Sequence, residues 1–284
     1  MMNITLSAFA DEISPDLEVQ IKVLKAHGMN HIEMRGVDGR SFSDYTVDEA
    51  KTVKARLDAN GFALSAVGSP IGKIGINEPF EPHLEQLKHV CRLAHVMETS
   101  YIRMFSFFIP KGEAPEKYKE AVFDRMGRMA EVAKSEDVIL AHENEKGIYG
   151  DTAARCLELF KAFYGDHFKC VFDPANFVQC DDVTWPEGFA MLKPYLAYMH
   201  IKDARAADHK VVPPGYGDGK LKEIIGELKR DNFSGVFSIE PHLKNFTGFA
   251  ALEQDGEPLP EAGDGPGLFH VAFKALERVL AIEN

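Results

Sequence analysis

Apolar and polar positions follow two recurring patterns along the chain. Short apolar runs predict buried strands, and each run precedes a longer segment in which apolar side chains recur every three or four residues, as on one face of a helix. The first strand and helix show the residues that mark the start and the end of such elements. Residues 3–8 form an apolar run, and the helix that follows is predicted to open at Ser14 and Pro15 and to end at Gly28.

Further pairs of the same kind follow along the whole chain. The other predicted strands are residues 31–34, 63–67, 101–105, 138–141, 168–172, 196–201 and 235–239. The other predicted helices are residues 46–60, 81–97, 115–135, 152–164, 185–193, 221–230 and 268–282. Strict alternation of strands and helices predicts parallel strands that are joined by right-handed crossovers.

Eight such pairs in 284 residues predict an α/β protein with the (β/α)8 TIM barrel fold, which typically needs about 250 residues. The alternative is a doubly wound open sheet. Such sheets usually carry a GxGxxG or Walker motif at the first turn, and this chain has neither there. Because no change in composition marks a second domain, residues 1–284 are predicted to form a single barrel.

Four consecutive predicted strands end in side chains that can bind a metal ion. Glu143, Asp173, His200 and Glu240 stand where the fifth to eighth apolar runs stop. The carboxyl ends of barrel strands converge on one pocket, so these side chains are expected to meet. Three carboxylates and one imidazole are suitable ligands for Mn²⁺, Mg²⁺, Co²⁺ or Zn²⁺. The alternative is a buried network of ion pairs whose cations the sequence does not identify.

Residues close to these strand ends are candidates for binding the substrate. Because side chains two apart in a strand share a face, Lys202 is expected on the side of His200, and His242 on the side of Glu240. Asn176 could donate a hydrogen bond to the substrate, but an amide cannot act as an acid or a base. The alternatives are that Lys202 forms a salt bridge with Asp203 or lies at the rim, and that His242 is an ordinary loop histidine.

Composition narrows the classes of partner. The formal net charge of −12 argues against nucleic acid, which binds to basic surfaces. No apolar run approaches the roughly 18 residues of a membrane span, and the first residues lack the basic and apolar regions of a signal peptide. The four cysteines form no CxxC pair and are expected to be reduced. A cytoplasmic protein that binds neither nucleic acid nor membrane is therefore predicted.

Several longer motifs carry a resemblance to a known family. They are SAFADEISPD, IEMRGVDG, AHENEKGIYGD, VFDPANF, MHIKDA with PPGYGDG, and FSIEPHL. Together they resemble the xylose-isomerase-like TIM-barrel family, often described as sugar phosphate isomerases and epimerases. The resemblance implies that the four strand-end residues hold a divalent metal and that Glu143 and Glu240 also transfer protons. It implies a metal-dependent sugar isomerase or epimerase that works through an enediolate.

The resemblance leaves two other functions open. Dehydratases of inososes or dehydroshikimate-like substrates in the same superfamily use the same single metal and begin with the same enolate. A non-catalytic barrel that binds a sugar is the second alternative. The superfamily's DNA repair endonucleases, which hold three zinc ions, are disfavoured. These enzymes need additional histidine ligands at the ends of strands three and four and three residues after the strand-six Asp. Here those positions hold Gly68-Ser69-Pro70, Phe105-Ser106-Phe107 and Asn176.

Two loops and two arginines bear on the substrate and on assembly. The glycine-rich loop 213–219 follows the seventh strand, where barrels often bind phosphate through backbone N–H groups, and nearby Arg205 is a candidate substrate ligand. An ordinary turn is an equally good interpretation, so a neutral sugar or polyol is as well supported as a sugar phosphate. Arg35 and Arg103 are further candidate anchors. The loop 241–267 is long, which is typical of a lid or of a contact within a homo-oligomer.

Overall fold

A ring of eight parallel strands forms the centre of the computed structural model, which describes residues 2–243 and 264–281. The strands are β1 Asn3–Ala8, β2 His31–Met34, β3 Ala63–Gly68, β4 Tyr101–Met104, β5 Ile139–Glu143, β6 Phe168–Phe172, β7 Leu196–Ile201 and β8 Ser234–Ile239. Their hydrogen-bonded order is β1-β8-β7-β6-β5-β4-β3-β2, and every pair is parallel. Because β1 and β2 also lie side by side, the ring is nearly closed. The predicted (β/α)8 TIM barrel is confirmed.

Helices cover the outside of the ring. They are α1 Leu17–Ala26, α2 Val47–Ala59, α3 Glu81–Val96, α4 Lys119–Ser135, α5 Ala153–Phe163, α6 Pro174–Gln179, α7 Phe189–Leu192, α8 Leu221–Arg230 and α9 Gly265–Ala281. Helix α1 begins later than predicted, because the side chain of Asp16, rather than that of Ser14, accepts the N-capping hydrogen bond. Thr46 and Glu49 form a reciprocal capping box at the start of α2.

Two parts of the helical prediction were wrong. The segment 185–193 is not one helix: Thr184–Gly188 forms a π-helical turn in which Trp185 is extended, and only Phe189–Leu192 is α-helical. A proline disfavours the helical conformation of the residue before it, and Trp185 precedes Pro186. The prediction also missed α6, which begins directly after β6 with Asp173 as its N-cap.

The inside of the ring contains an apolar layer below a polar one. The apolar layer consists of Ala66, Ala141, Val171 and Tyr198. Side chains two positions further along a strand share the same face and lie nearer its carboxyl end. The residues at that spacing from Ala141, Val171 and Tyr198 are Glu143, Asp173 and His200. The period of a strand thus places the candidate ligands together, on a packed apolar floor.

The strand positions that alternate with the inward-facing ones face outward and build the main core against the helices. Leu140, Phe172, Ile201 and Ile239 are fully buried members of this core. Across the described part of the chain, no helix combines the length and the hydropathy that crossing a bilayer requires. Most of the predicted lid or interface loop 241–267 lies outside the described residues, so its role stays a prediction.

Candidate metal centre

The side chains of Glu143, Asp173, His200 and Glu240 converge at the carboxyl end of the ring. One nitrogen or oxygen atom from each lies within 4.8 Å of the corresponding atoms of the others, and all four residues are buried. The Nδ1 atom of His200 is 3.0 Å from Glu143 Oε1, 3.8 Å from Asp173 Oδ2 and 4.0 Å from Glu240 Oε2. We call these four residues the ligand cluster, because a single ion could contact all of them.

Two buried atoms of the ligand cluster lack a hydrogen-bond partner. They are His200 Nδ1 and Asp173 Oδ2, neither of which makes a hydrogen bond of acceptable geometry with the described residues. Buried polar atoms are nearly always satisfied, so such atoms need an explanation. The two atoms have charged neighbours but no hydrogen bond: Lys202 Nζ lies 2.7 Å from Asp173 Oδ2, and Glu143 Oε1 lies 3.0 Å from His200 Nδ1. An imidazole nitrogen beside three carboxylates is a suitable set of ligands for a divalent cation. The residues present therefore fit a divalent metal ion.

Lys202 is a buried cation at the edge of the ligand cluster. Its Nζ atom lies 2.7 Å from Asp173 Oδ2 and 2.8 Å from Glu240 Oε2. Burial opposes the charge of Lys202, but these two carboxylates outweigh it and raise the pKa of the ammonium group well above its usual value. Lys202 therefore carries a positive charge that offsets part of the negative charge of the ligand cluster.

Two arginines contact the outer oxygens of the glutamates. Arg35 Nη1 donates to Glu240 Oε1 at 3.0 Å, and Arg103 Nε is 3.4 Å from Glu143 Oε2. Burial raises the pKa of Glu143, but His200 and Arg103 outweigh it and lower the pKa to about 2. These arginines and Lys202 are the cations that an ion-pair network would need, so charge balance alone does not decide between that network and a metal site. The unpartnered His200 Nδ1 favours the metal site.

Sequence comparison identifies the family. A family model described as "Xylose isomerase-like TIM barrel" matches residues 21–263, which is most of the chain. The chain belongs to this family. No curated protein matches it.

Solved structures of low sequence identity share the barrel fold of this chain. The IOLI protein with a bound zinc atom has a TM-score of 0.73 at 17% identity, over 98% of each chain. The probable 3-DHS dehydratase AsbF from Bacillus anthracis has a TM-score of 0.71 at 15% identity, over 97% of this chain and 99% of that one. The 3-keto-D-glucoside 4-epimerase YcjR from E. coli has a TM-score of 0.69 at 14% identity, over 99% of this chain and 100% of that one. At these identities the similarity shows the fold alone.

The residues predicted to bind substrate occupy three different environments. Asn176 is buried and donates to Glu143 Oε1 at 3.1 Å, so it orients a candidate ligand. His242 is partly exposed, and its Nε2 lies 3.3 Å from Glu240 Oε1 and 2.9 Å from Glu12 Oε1. Arg205 is instead exposed and pairs with Asp208, and it lines neither cavity beside the ligand cluster. The geometry therefore gives no support to Arg205 as a substrate ligand.

The glycine-rich loop 213–219 folds around a carboxylate of the chain itself. Asp203, which is fully buried, accepts hydrogen bonds of 2.9 to 3.0 Å from the backbone N–H groups of Gly215, Gly217 and Gly219. A fourth, from Ala204, is 2.9 Å long. The N–H groups that could have bound a phosphate are therefore already used. The sequence could not show this, because it does not reveal which way Asp203 points.

The sequence interpretation missed Glu33 as a member of the site. Glu33 lies on β2, is fully buried, and accepts a hydrogen bond of 2.8 Å from the hydroxyl group of Tyr198. Its two carboxylate oxygens are 3.2 and 3.3 Å from His200 Nε2. The available signal was an acidic residue between the apolar Ile32 and Met34, because a carboxylate within a buried strand needs partners inside the fold.

Two cavities adjoin each other at the carboxyl end of the ring, and the smaller one reaches the ligand cluster. The smaller has a volume of about 140 Å³, and its walls include Ser69, Arg103 and Phe105 as well as both glutamates. The larger, of about 540 Å³, is lined by Glu12 and by apolar residues of α9 such as Leu268 and Phe269. Both are bounded by Arg35 and His242. Together they fall within the size range of typical small-molecule sites.

Proposed function

We propose that this protein is a divalent-metal-dependent enzyme that epimerises or isomerises a sugar. The observation that carries the proposal is the ligand cluster, in which His200 Nδ1 and Asp173 Oδ2 lie 3.8 Å apart and neither makes a hydrogen bond of acceptable geometry with the described residues. An ion held there by Glu143, Asp173, His200 and Glu240 would act as a Lewis acid on the oxygens of a carbonyl and a neighbouring hydroxyl group, and so acidify the adjacent C–H bond.

Glu143 and Glu240 are the proposed proton-transfer residues. Their carboxylates reach the cavity from β5 and β8, at the two ends of the arc of strands that carries the ligand cluster. Burial opposes the charge of Glu240, but Lys202 and His242 outweigh it and lower its pKa well below the usual value. With the pKa of Glu143 also lowered, both groups are ionised at neutral pH, so either can accept a proton.

The destination of the proton determines the reaction. If one carboxylate removes a proton from the sugar carbon, and the other takes up a proton from solvent and delivers it to the opposite face, the carbon is epimerised. If the proton is returned to the neighbouring carbon, an aldose and a ketose are interconverted. The hydrogen bond from Asn176 holds Glu143 in place for either step, and the buried rings of Phe9 and Phe105 limit the access of water.

The proposed substrate is an unphosphorylated sugar with a carbonyl group. The backbone N–H groups of Gly215, Gly217 and Gly219, at the position where barrels often bind phosphate, donate to Asp203. A phosphate would have to displace a carboxylate that is already satisfied and buried. This arrangement supports a neutral substrate over a sugar phosphate.

A dehydratase is the second candidate, and the pair formed by His242 and Glu12 favours it. His242 Nε2 lies 2.9 Å from Glu12 Oε1, and both residues line the larger cavity next to the ligand cluster. A histidine in this position could protonate a departing hydroxide after the first proton has been removed. The two reactions therefore share their first step and differ in whether water is lost.

Mass spectrometry in deuterated water tests the proposal. Chelator-treated protein is reloaded with Mn²⁺ and incubated with a panel of unphosphorylated ketoses and their phosphorylated counterparts. Products that gain one deuterium without loss of water support the epimerase or isomerase, whereas loss of water identifies the dehydratase. Glu240→Gln should abolish exchange, and Glu158→Gln serves as a surface control because Glu158 pairs only with Tyr149 and Lys119 in the described contacts. If the protein binds no divalent ion and chelation leaves its stability unchanged, the proposal is wrong.

A further inference from the structure

We propose that Glu33 is a positioning residue that fixes the tautomer of His200 and thereby makes its Nδ1 atom a metal ligand. This inference rests on the metal-dependent function proposed above. It assigns a role to a buried acidic side chain on β2, which lies across the ring from β7 and outside the four strands that supply the ligand cluster.

The imidazole of His200 has a carboxylate on each side. On the Nε2 side it faces Glu33 at 3.2 and 3.3 Å, and on the Nδ1 side it faces Glu143 at 3.0 Å. The Nε2 contacts have the geometry of hydrogen bonds, whereas Nδ1 makes none. The ring therefore binds Glu33 through one nitrogen and presents the other to the ligand cluster.

A neutral imidazole carries only one N–H group, so the partner of one nitrogen determines the state of the other. When Nε2–H donates to Glu33, Nδ1 retains its lone pair, which is the form that binds a metal ion. A hydrogen bond to a carboxylate also increases the basicity of the ligand nitrogen. Without Glu33, the proton could move to Nδ1, and the Nδ1–H group could then donate to Glu143. Neither His200 Nδ1 nor that oxygen of Glu143 would then be free to bind the ion.

Tyr198 and Phe9 hold this arrangement in place. The hydroxyl group of Tyr198 donates to Glu33 Oε1 at 2.8 Å, which limits the rotation of the carboxylate. The ring of Phe9 packs edge-on against His200, with 5.1 Å between the ring centroids. Because Tyr198 and His200 are two apart on β7, the strand presents both to Glu33 on the same face.

The test is calorimetric titration of chelator-treated, full-length protein with Mn²⁺ alone. Glu33→Gln keeps the shape and the ability to accept from Tyr198 but removes the charge. We expect it to weaken Mn²⁺ binding by about 10- to 100-fold, because loss of such a partner has this effect on other metal sites. Tyr198→Phe keeps the charge and loosens its position, so we expect a smaller but measurable weakening, of a few fold. Metal-free thermal midpoints should stay close to that of the unmodified protein.

A second tyrosine–glutamate pair provides matched controls. Tyr149 is buried and its hydroxyl group donates to Glu158 at 2.5 Å, away from the ligand cluster. Tyr149→Phe and Glu158→Gln make the same chemical changes and should leave the Mn²⁺ affinity unchanged. A direct readout of the tautomer is the ¹⁵N spectrum of His200 in the Zn²⁺-loaded protein, in which Nε2 should carry the proton.

The outcomes separate this inference from the proposed function. If the unmodified protein binds no Mn²⁺, the proposed function itself fails. If it binds Mn²⁺ and Glu33→Gln binds equally tightly, only the role of Glu33 is refuted. If Glu33→Gln does not fold, Tyr198→Phe decides, and an affinity equal to that of the Tyr149→Phe control overturns the inference.

Discussion

Two buried histidines from opposite sides of the barrel wall differ in what surrounds them. His200 faces the inside of the ring, and His142 faces the layer between β5 and the helices, where it contacts the rings of Phe160 and Phe168. Both are fully buried, and both have unpartnered ring nitrogens among the described residues. Only His200 has carboxylates around its free nitrogen, so only His200 can take part in binding a cation.

The electrostatic consequences are opposite. Burial opposes the charge of His200, but Glu143 and Glu33 outweigh it and raise its pKa well above the usual value, so a metal ion that binds Nδ1 has to displace a proton and leave the neutral ring. Burial among aromatic rings lowers the pKa of His142 to about 4. An unpartnered nitrogen alone therefore does not identify a ligand. A nitrogen that shares its space with several carboxylates does, and that is the basis for assigning the ligand cluster.

The largest expected effect is on turnover and comes from substitution of a residue that faces the inside of the ring. Glu240→Gln removes a ligand charge and a proton-transfer group at once, so we expect kcat to fall by at least about 10²- to 10⁴-fold, the usual contribution of acid–base catalysis. His142→Leu, on the outer side, should leave kcat within a few fold. The measurement is steady-state turnover of the Mn²⁺-loaded proteins. Equal losses of kcat in the two variants would show that turnover depends as much on a residue packed outside the ring as on one inside it.

The next largest effect is on stability and concerns Asp203, whose carboxylate accepts hydrogen bonds from backbone N–H groups. Asp203→Asn should turn an N–H₂ group towards loop N–H donors that Asp203 now binds. The N–H groups of Gly215 and Gly217 would lose their acceptor, and each buried donor left unsatisfied costs about 1–3 kcal/mol. The free energy of unfolding should therefore fall by several kcal/mol. Urea unfolding measures this loss. The affinity for Mn²⁺ should not change in the folded protein, and a large change would place Asp203 in the metal site.

The smallest effect is a pH dependence that arises from His142. Its pKa is lowered to about 4 in the folded state from an ordinary value of 6.5, so the unfolded chain binds more protons between these values. The stabilising contribution is complete above pH 6.5 and is lost as pH falls towards 4. We expect it to decrease by about 2 kcal/mol by pH 5. Urea unfolding between pH 7.5 and 5 should therefore show a shallower decline for His142→Leu than for the unmodified protein, and identical slopes would contradict this.

The fold could be predicted from sequence because each element carried its own signals. The runs at β5 and β6 are buried on both faces except at Ile139 and Lys169. Residues such as Thr46 and Gly28 mark the ends of helices locally. The break at Trp185 and the short helix α6 were missed because they depend on single prolines within otherwise helical or loop-like segments.

The candidate site was predictable only in part. Convergence of the ligand cluster followed from topology, because consecutive parallel strands bring their carboxyl ends together. Contacts across the ring did not follow: Glu33 is 167 positions from His200, and no periodicity links them. The direction of Asp203 and the pairing of Arg205 with Asp208 also depend on loop conformation, which the pattern of apolar residues does not determine.

Isothermal titration of the chelator-treated protein and its Asp173→Asn variant with a divalent ion tests the central claim most directly. The account predicts one Mn²⁺ ion per chain in the unmodified protein and strongly weakened or absent binding in the variant, which retains its fold. Titrations that show no binding to the unmodified protein, or equal binding to both, would contradict it.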